Sequence, residues 1–492
     1  MSSLTERAGF LIAANLIKYA VGFVMPMVLV RFLSQSDYGT YQQLNLIGTT
    51  AIGILVLGLP TSIYYFYNQF SDNRVPALIA QTSLMLVFSG GACIAILYLG
   101  APPLAAKFGN DAIAMLLPLY AFSVAFMIAS EHSLSFMIAQ NRYVTAVGFE
   151  TGETFGRVTI LLVPLLLGYG LNGLIIGMLI YAITRFLARS IYLFYGSGIQ
   201  FKGWSTVTFA RDQLVYSFPL ALASLSALLG GAFNRGIVAT SFSPADYAIY
   251  SVGALEIPLD VIFQASVANV LRASLPQLVR EGRKEEMGKI LREAMRKLSI
   301  IVLPSFVFLL GHSHQFITLL FTSRYEESVV VFRIYLWLIP LHMLVLSLIP
   351  QVFGRTKWNL YVMWIQTLVL VGASYALLKL VGFYGPALAG VGTAYLTAII
   401  YFVIAIRLTG CKFLELVPTI HIIRVIIVAL FAVFFSRLSL HWLPLNLLGF
   451  AGTGIVFSII FLVAAPLFKI FTNQDISFLK RSLGKALRRG KA

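Results

Sequence analysis

Phe32-Leu33-Ser34-Gln35-Ser36-Asp37-Tyr38-Gly39-Thr40-Tyr41 is a short polar interruption between two long apolar runs. A second copy stands 209 residues later, at Phe242-Ser243-Pro244-Ala245-Asp246-Tyr247-Ala248-Ile249-Tyr250. Both carry Ser-x-x-Asp-Tyr-x-x-Tyr, and both join apolar runs of spanning length. Two further landmarks keep nearly that offset. Asn141-Arg142 and Gly354-Arg355 each follow an apolar run, with the arginines 213 apart. Gly170-Leu-Asn-Gly173 and Gly382-Phe-Tyr-Gly385 each open one, 212 apart. Three matches in one order point to a duplicated unit of about 200 residues, and a repeat of this kind bears on the whole fold.

The 492 residues are 59% hydrophobic and 11% charged, with a mean hydropathy of +0.86. A soluble domain carries about 25% charged residues. The apolar runs repeatedly exceed the roughly 20 residues needed to cross a bilayer. Lipid forces backbone groups to be satisfied within each span, so the chain is expected to be an all-α polytopic membrane protein. The alternating segments of about 10 residues that mark a membrane β-barrel are absent. The first run is too long and too weakly flanked for a cleaved signal peptide and reads as a retained anchor. Cys93 and Cys411 fall in different halves and offer neither a disulfide framework nor a metal site.

Fourteen apolar runs are expected to span, the first at 9–33 and the last at 445–468. The repeat divides them into a six-helix lobe at 1–213 and a second at 214–413. Two further helices and a basic tail fill 414–492. With the N-terminus in the cytoplasm, the outer loops hold only Arg31, Lys107, Arg324, Lys379 and Arg437 of the 36 Lys and Arg. That asymmetry is the positive-inside pattern and places both termini in the cytoplasm. It also accounts for the net charge of +17 without nucleic acid. The longest inner loop, Arg272 to Lys297, has apolar residues near helical spacing and is expected to form an amphipathic helix at the cytoplasmic surface. The tail from Lys480 to Lys491 is expected to be mobile or lipid-associated. Asp37 and Asp246, on the outer side, are expected to cap the helices that follow them.

Ionisable groups inside a span cost about 2.5–3.5 kcal/mol on insertion scales, so each invites a functional reading. Lys18 lies well inside the first span and shares a face with Asn15, Gly22 and Met25. Glu150, Glu153 and Arg157 recur at i, i+3 and i+7, hence on one helical stripe. Glu153 precedes Arg157 by four, the favoured orientation for an ion pair, which leaves Glu150 as a candidate proton or cation relay. Glu256 and Asp260 are expected one turn apart in the eighth span, where like charges need counter-cations, shared protons or water. Arg185 and Arg235 also lie within spans, whereas Glu131 and Arg333 read as interfacial anchors. Gly173-x-x-x-Gly177 fits close helix packing.

His312 and His314 lack an evident third metal ligand, so no metal is expected there. There is no nucleotide-binding P-loop, nucleophile elbow or zinc-hydrolase pattern, and the short outer loops leave no room for an extracytoplasmic catalytic domain. These features speak against an enzyme and for a transporter without a bound cofactor.

With its two Ser-x-x-Asp-Tyr-x-x-Tyr motifs, the Arg142 and Arg355 turns and Gly382-Phe-Tyr-Gly385-Pro386-Ala387-Leu388, the chain resembles the polysaccharide-export branch of the MOP superfamily, the Wzx-type O-antigen and exopolysaccharide repeat-unit flippases. The resemblance covers essentially the whole chain. It implies two six-helix lobes around a central cavity in the bacterial cytoplasmic membrane, with alternating access. The implied cargo is an undecaprenyl-pyrophosphate-linked oligosaccharide, moved among membrane lipids and handed to polymerase or assembly proteins. Coupling to H+ or Na+ would involve Glu150, Glu153, Glu256 or Asp260. A pyrophosphate crossing lipid needs cations, for which Lys18, Arg157, Arg185 and Arg235 are candidates. The glycan needs hydrogen-bonding groups, for which Asn15, Gln42, Asn45 and Asn234 are candidates. Lys18 stands where MATE-type drug exporters of the superfamily often bury an acid, which disfavours a cationic drug. A lipid II flippase is the other alternative, although the arginine-rich first span of that group is not matched.

Overall fold

The computed structural model describes residues 4–70, 74–197, 210–440, 442–444 and 446–472, with the side chains of 4–15, 220, 223 and 259 left aside. The tail from Lys480 to Lys491 and the side chain of Asn15 therefore lie outside the described residues. All regular structure among them is helical. In chain order the α-helices are α1 (Leu4–Phe32), α2 (Gln35–Leu55), α3 (Leu59–Gln69), α4 (Val75–Phe108), α5 (Asp111–Ser130), α6 (His132–Ala139) and α7 (Tyr143–Leu166). There follow α8 (Gly170–Ile191), α9 (Ala210–Ser241), α10 (Pro244–Gly253), α11 (Pro258–Arg280), α12 (Lys284–Gly311), α13 (Ser313–Phe321) and α14 (Ser328–Leu336). The last are α15 (Ile349–Val352), α16 (Thr356–Val381), α17 (Gly385–Thr409), α18 (Phe413–Leu416), α19 (Thr419–Ser439) and α20 (Leu447–Leu467).

Eight stretches among the described residues are long and apolar enough to cross a bilayer, or ten if each of two bent pairs counts as one span. Phe88, Leu99, Leu448 and Leu467 stand uncovered, as suits side chains that face lipid rather than water. The chain is an all-α polytopic membrane protein. Some of the fourteen expected spans are interrupted or charged. The run 40–67 is divided between α2 and α3, where Leu57 and Gly58 take left-handed backbone at φ 54° and 68°. The run 247–271 is divided into α10 and α11. Ile257 is extended (φ −86°, ψ 113°) because it precedes Pro258, which opens α11. Glu256 consequently lies in non-helical chain and Asp260 in the first turn of α11, not one helical turn apart.

By compactness the chain divides into one unit of Met1–Val252 with Met363–Gly390 and a second of Gly253–Val362 with Val391–Ala492. This division departs from the repeat boundaries, because α9, α10 and most of α16 pack within the first unit.

In the first unit both copies of the opening motif are helix starts. Ser34 caps α2: its Oγ accepts from the Asp37 amide at 3.0 Å and donates to Asp37 Oδ2 at 2.7 Å. Ser243 repeats this with Asp246 at 3.2 and 2.6 Å, and its amide donates to Asp246 Oδ2 at 3.1 Å. The caps are therefore the serines, and the expected caps Asp37 and Asp246 are third helical residues: Asp246 returns a bond to the Ser243 amide and closes a reciprocal box, whereas Asp37 accepts from the Ser34 hydroxyl. The motif tyrosines Tyr38, Tyr41, Tyr247 and Tyr250 are all buried. The two copies also meet: a methyl on Gly39 would run into the Pro244 carbonyl. Nearby, Asn110 donates to Thr40 and Gln43, and Gln43 donates to the Ala239 carbonyl, which ties α2, the start of α5 and α9 together.

In the second unit, Met287, Leu291, Met295 and Leu298 of α12 are buried in one core with Leu271, Leu275, Cys411 and Leu416. The stretch 284–297 is thus the first half of a long helix packed on protein, not a separate surface helix. Its apolar stripe is covered by α11 and α18 rather than by headgroups.

Candidate functional site: a charged cavity in the first unit

α7 sets the geometry of the site. Packing against α1 on one side and α8 on another, it borders a cavity of about 490 Å³ with the stripe of Glu150, Glu153 and Arg157. From α1 come Lys18, Gly22 and Met25, and from α2 come Tyr41, Gln42 and Asn45. Glu131, at the break between α5 and α6, and Tyr181, Arg185 and Arg189 of α8 complete the charged wall. Gly177 lets α8 lie close to α7, since a Cβ there would sit 2.9 Å from the Ile160 carbonyl oxygen. That approach brings the α8 arginines within reach of α7.

The charges are paired across helices. Arg189 donates to both carboxylate oxygens of Glu153, at 2.6 and 2.7 Å, and to the Ser130 carbonyl at 3.0 Å. Arg185 donates to Glu131 at 2.8 Å and lies 3.4 Å from Glu153. Lys18 lies 3.4 Å from Glu150. Glu153 is therefore not the partner of Arg157, as its i,i+4 spacing leads one to expect. Arg185 and Arg189, at 7% and 4% side-chain exposure, cannot be left unpaired, and their planar forks claim the carboxylate. Glu150 is likewise not a lone acid.

Three acids face four bases in this cavity, and the pairing leaves Arg157 over. It is exposed to the cavity and makes no hydrogen bond or ion pair among the described residues. The site thus presents one uncompensated guanidinium, and Lys18, at 62% side-chain exposure and paired with Glu150, lines the same cavity. A guanidinium and an ammonium in a partly enclosed space form a receptor for phosphate or carboxylate. Gln42 and Asn45 add neutral polar edges; Gln42 also donates to the Tyr38 hydroxyl at 2.6 Å.

The remaining sequence candidates lie elsewhere. Asn234 is buried and accepts from Ser374 at 2.9 Å, so it joins helices rather than lining the cavity. Arg235 is exposed on α9, away from the cavity lining. Glu256 and Asp260 belong to the second unit. There Asp260 is fully buried, and neither carboxylate oxygen has a hydrogen-bond partner. Two charged residues that line the cavity, Glu131 and Arg189, are not among the sequence candidates. A usable signal exists: Arg185 and Arg189 are one turn apart on one face, and two intramembrane arginines there require acids opposite. Among the described residues, no group of three or more His, Cys, Asp and Glu could hold a metal ion. Cys93 and Cys411 are both buried and unbonded to each other.

Residues 28–330 match the family described as "Polysaccharide biosynthesis protein", over more than half of the chain. The chain belongs to that family. A comparison with curated proteins finds no match. Among solved structures, this polysaccharide biosynthesis family member is similar to the lipid II flippase MurJ in an inward closed conformation. That likeness has a TM-score of 0.70 at 16% identity and covers 93% of this chain and 98% of that one. It is also similar to an inward-facing multidrug resistance MATE family transporter, at a TM-score of 0.66 and 14% identity over 80% of this chain and 94% of that one. A MOP-superfamily transporter from Pyrococcus furiosus, described by a reverse polarity of its binding pocket, gives 0.58 and 13% over 82% and 95%. At such identities the likeness is one of fold. The family member shares the fold of these transporters.

Proposed function

We propose that this protein is a flippase that moves an anionic, lipid-linked oligosaccharide across the bacterial cytoplasmic membrane by alternating access. The substrate class is an undecaprenyl-pyrophosphate-linked repeat unit for O-antigen or exopolysaccharide. The observation that carries the reading is the surplus cation Arg157 in a cavity that Lys18 also lines, in a polysaccharide biosynthesis family member. A diphosphate brought between two leaflets needs such charges to replace water. Gln42 and Asn45 are assigned to the first sugar.

The proposal includes fourteen spans, with six-helix lobes at 1–213 and 214–413, two further helices and a basic tail at 414–492, and both termini in the cytoplasm. Driving force comes from H+ or Na+, through Glu150 and Glu153 in one lobe or Glu256 and Asp260 in the other. Polymerase and assembly proteins receive the product. A second reading is favoured by the MurJ likeness: a lipid II flippase, whose cargo shares the polyprenyl pyrophosphate.

The test uses purified protein in liposomes, with fluorescent sugar-pyrophosphate-polyprenols on the inner leaflet and a quencher outside. Arg157→Gln should reduce flipping at least tenfold while the folded yield holds. Unchanged flipping would remove the cationic-cavity reading. Comparing lipid II with a repeat-unit oligosaccharide in the same liposomes decides between the two cargoes.

A further inference from the structure

The charged cavity holds ion pairs of two kinds. Arg189 grips Glu153 through two short bonds, at 2.6 and 2.7 Å, and Arg185 reaches Glu131 at 2.8 Å. Both guanidiniums are almost wholly buried, at 4% and 7% side-chain exposure. Opening either pair would leave a buried cation without its acid, so both are fixed parts of the wall. Lys18 and Glu150 pair differently. The Lys18 Nζ stands 3.4 Å from one oxygen of Glu150, a single long contact, and among the described residues it is that carboxylate's one partner. The lysine is 62% exposed and sits on a flexible stem. An exposed pair contributes little to stability and opens easily.

Four bases and three acids line the cavity, a net of one positive charge. A pyrophosphate esterified at both ends brings two negative charges, and the surplus guanidinium of Arg157 answers only one of them. A second cation has to be released from an acid. Of the three paired bases, Lys18 is the one that can be given up without stranding a buried cation, and Glu150 is what holds it. Glu150 itself lines the cavity, so its released carboxylate meets solvent there.

We infer that Glu150 is an internal stand-in for the substrate phosphate, holding Lys18 while the carrier returns unloaded and yielding it when the pyrophosphate enters. The inference rests on the flippase reading and adds the residue that resets the cavity between cycles. Without the Glu150 charge the unloaded cavity would carry two surplus positive charges rather than one, and each unmatched charge inside a membrane is costly. The same carboxylate competes with substrate for Lys18. Glu150 thus weakens binding and speeds return, two effects of opposite sign.

The experiment uses full-length protein and reads binding and turnover separately. Inorganic pyrophosphate is titrated into the detergent-purified protein by calorimetry, and flipping is followed in liposomes with the fluorescent sugar-pyrophosphate-polyprenols. Glu150→Gln should tighten pyrophosphate binding at least threefold and slow multiple-turnover flipping at least fivefold. A merely structural role would not move the two in opposite directions. In a Lys18→Gln background the gain in affinity should disappear, because the competition is for that lysine. A gain of the same size in that background would reveal a general field effect and overturn the stand-in. Pyrophosphate binding unchanged or weakened by Glu150→Gln, undiminished flipping, or a Glu150→Gln protein that does not fold would overturn it as well. Failure of the flippase reading is seen separately, as native protein that moves no fluorescent lipid or binds pyrophosphate indifferently to Arg157→Gln. The affinity measurements with Glu150→Gln and Lys18→Gln still decide the competition in that case.

Discussion

Glu153 holds Arg189 through both carboxylate oxygens and Arg185 at 3.4 Å, with all three side chains largely buried. Removing the acid strands Arg189 in a poorly hydrated site and leaves Arg185 with Glu131 alone, and breaking a buried pair costs about 3–5 kcal/mol. Glu153→Gln should therefore lower stability strongly, measured by thermal unfolding of the detergent-purified protein. Lys18 and Glu150 present the contrasting case. Lys18 is 62% exposed, and an exposed pair contributes at most about 1 kcal/mol. Lys18→Ala should leave unfolding nearly unchanged while transport falls, and a large loss of stability would refute the assignment to substrate. Ser34 and Ser243 belong to the same scale. Loss of a serine cap costs about 1 kcal/mol, so Ser34→Ala and Ser243→Ala should each destabilise by a similar amount. Dissimilar effects would show that the two copies no longer play equal structural roles.

Glycine decides where helices approach each other and where they stay apart. A Cβ on Gly177 would sit 2.9 Å from the Ile160 carbonyl oxygen, whereas one on Gly91 of α4 would meet nothing within 4 Å. Gly177→Ala should destabilise by about 1–3 kcal/mol, because overpacking pushes α8 from α7. Gly91→Ala should stabilise by about 1 kcal/mol through helix propensity. Opposite shifts in unfolding temperature are the expected result; a stabilising Gly177→Ala would mean that the α7–α8 approach is not tight. The repeat is also visible in the turns. Asn141 and Gly354 both take left-handed backbone. The following Arg142 and Arg355 amides return to the carbonyls of Met137 and Pro350, five residues back. Both are the same helix ending, so these landmarks reflect turn geometry and not chemistry.

The charge asymmetry predicts an orientation of the molecule in the membrane, and two cysteines can read it. Ser36 and Arg283 are exposed at opposite predicted faces, while Cys93 and Cys411 are buried and should stay silent. An impermeant maleimide added to intact cells should label Ser36→Cys but not Arg283→Cys, and disruption of the membrane should expose the latter. The reverse pattern would invert the topology. Arg157→Gln belongs to this scale too, because its effect on flipping depends on the entire cavity and not on one bond.

Polytopic helical character was determined by the sequence alone, because spanning lengths of apolar residue and a scarcity of charge leave lipid as the only solvent that fits. The repeat landmarks were legible for the same reason that they recur: capping serines, buried tyrosines and left-handed turn residues act within a few residues of chain. Lys18, Arg157, Gln42 and Asn45 could be singled out as polar groups in apolar runs. What sequence could not supply was the partner of each charge. Spacing along α7 favours Glu153 with Arg157, yet helix packing places Arg185 and Arg189 closer, and burial obliges them to be paired. Only the tertiary arrangement left Arg157 as the surplus cation. Pairing is a property of neighbouring helices, and a single helix's periodicity carries no record of its neighbours.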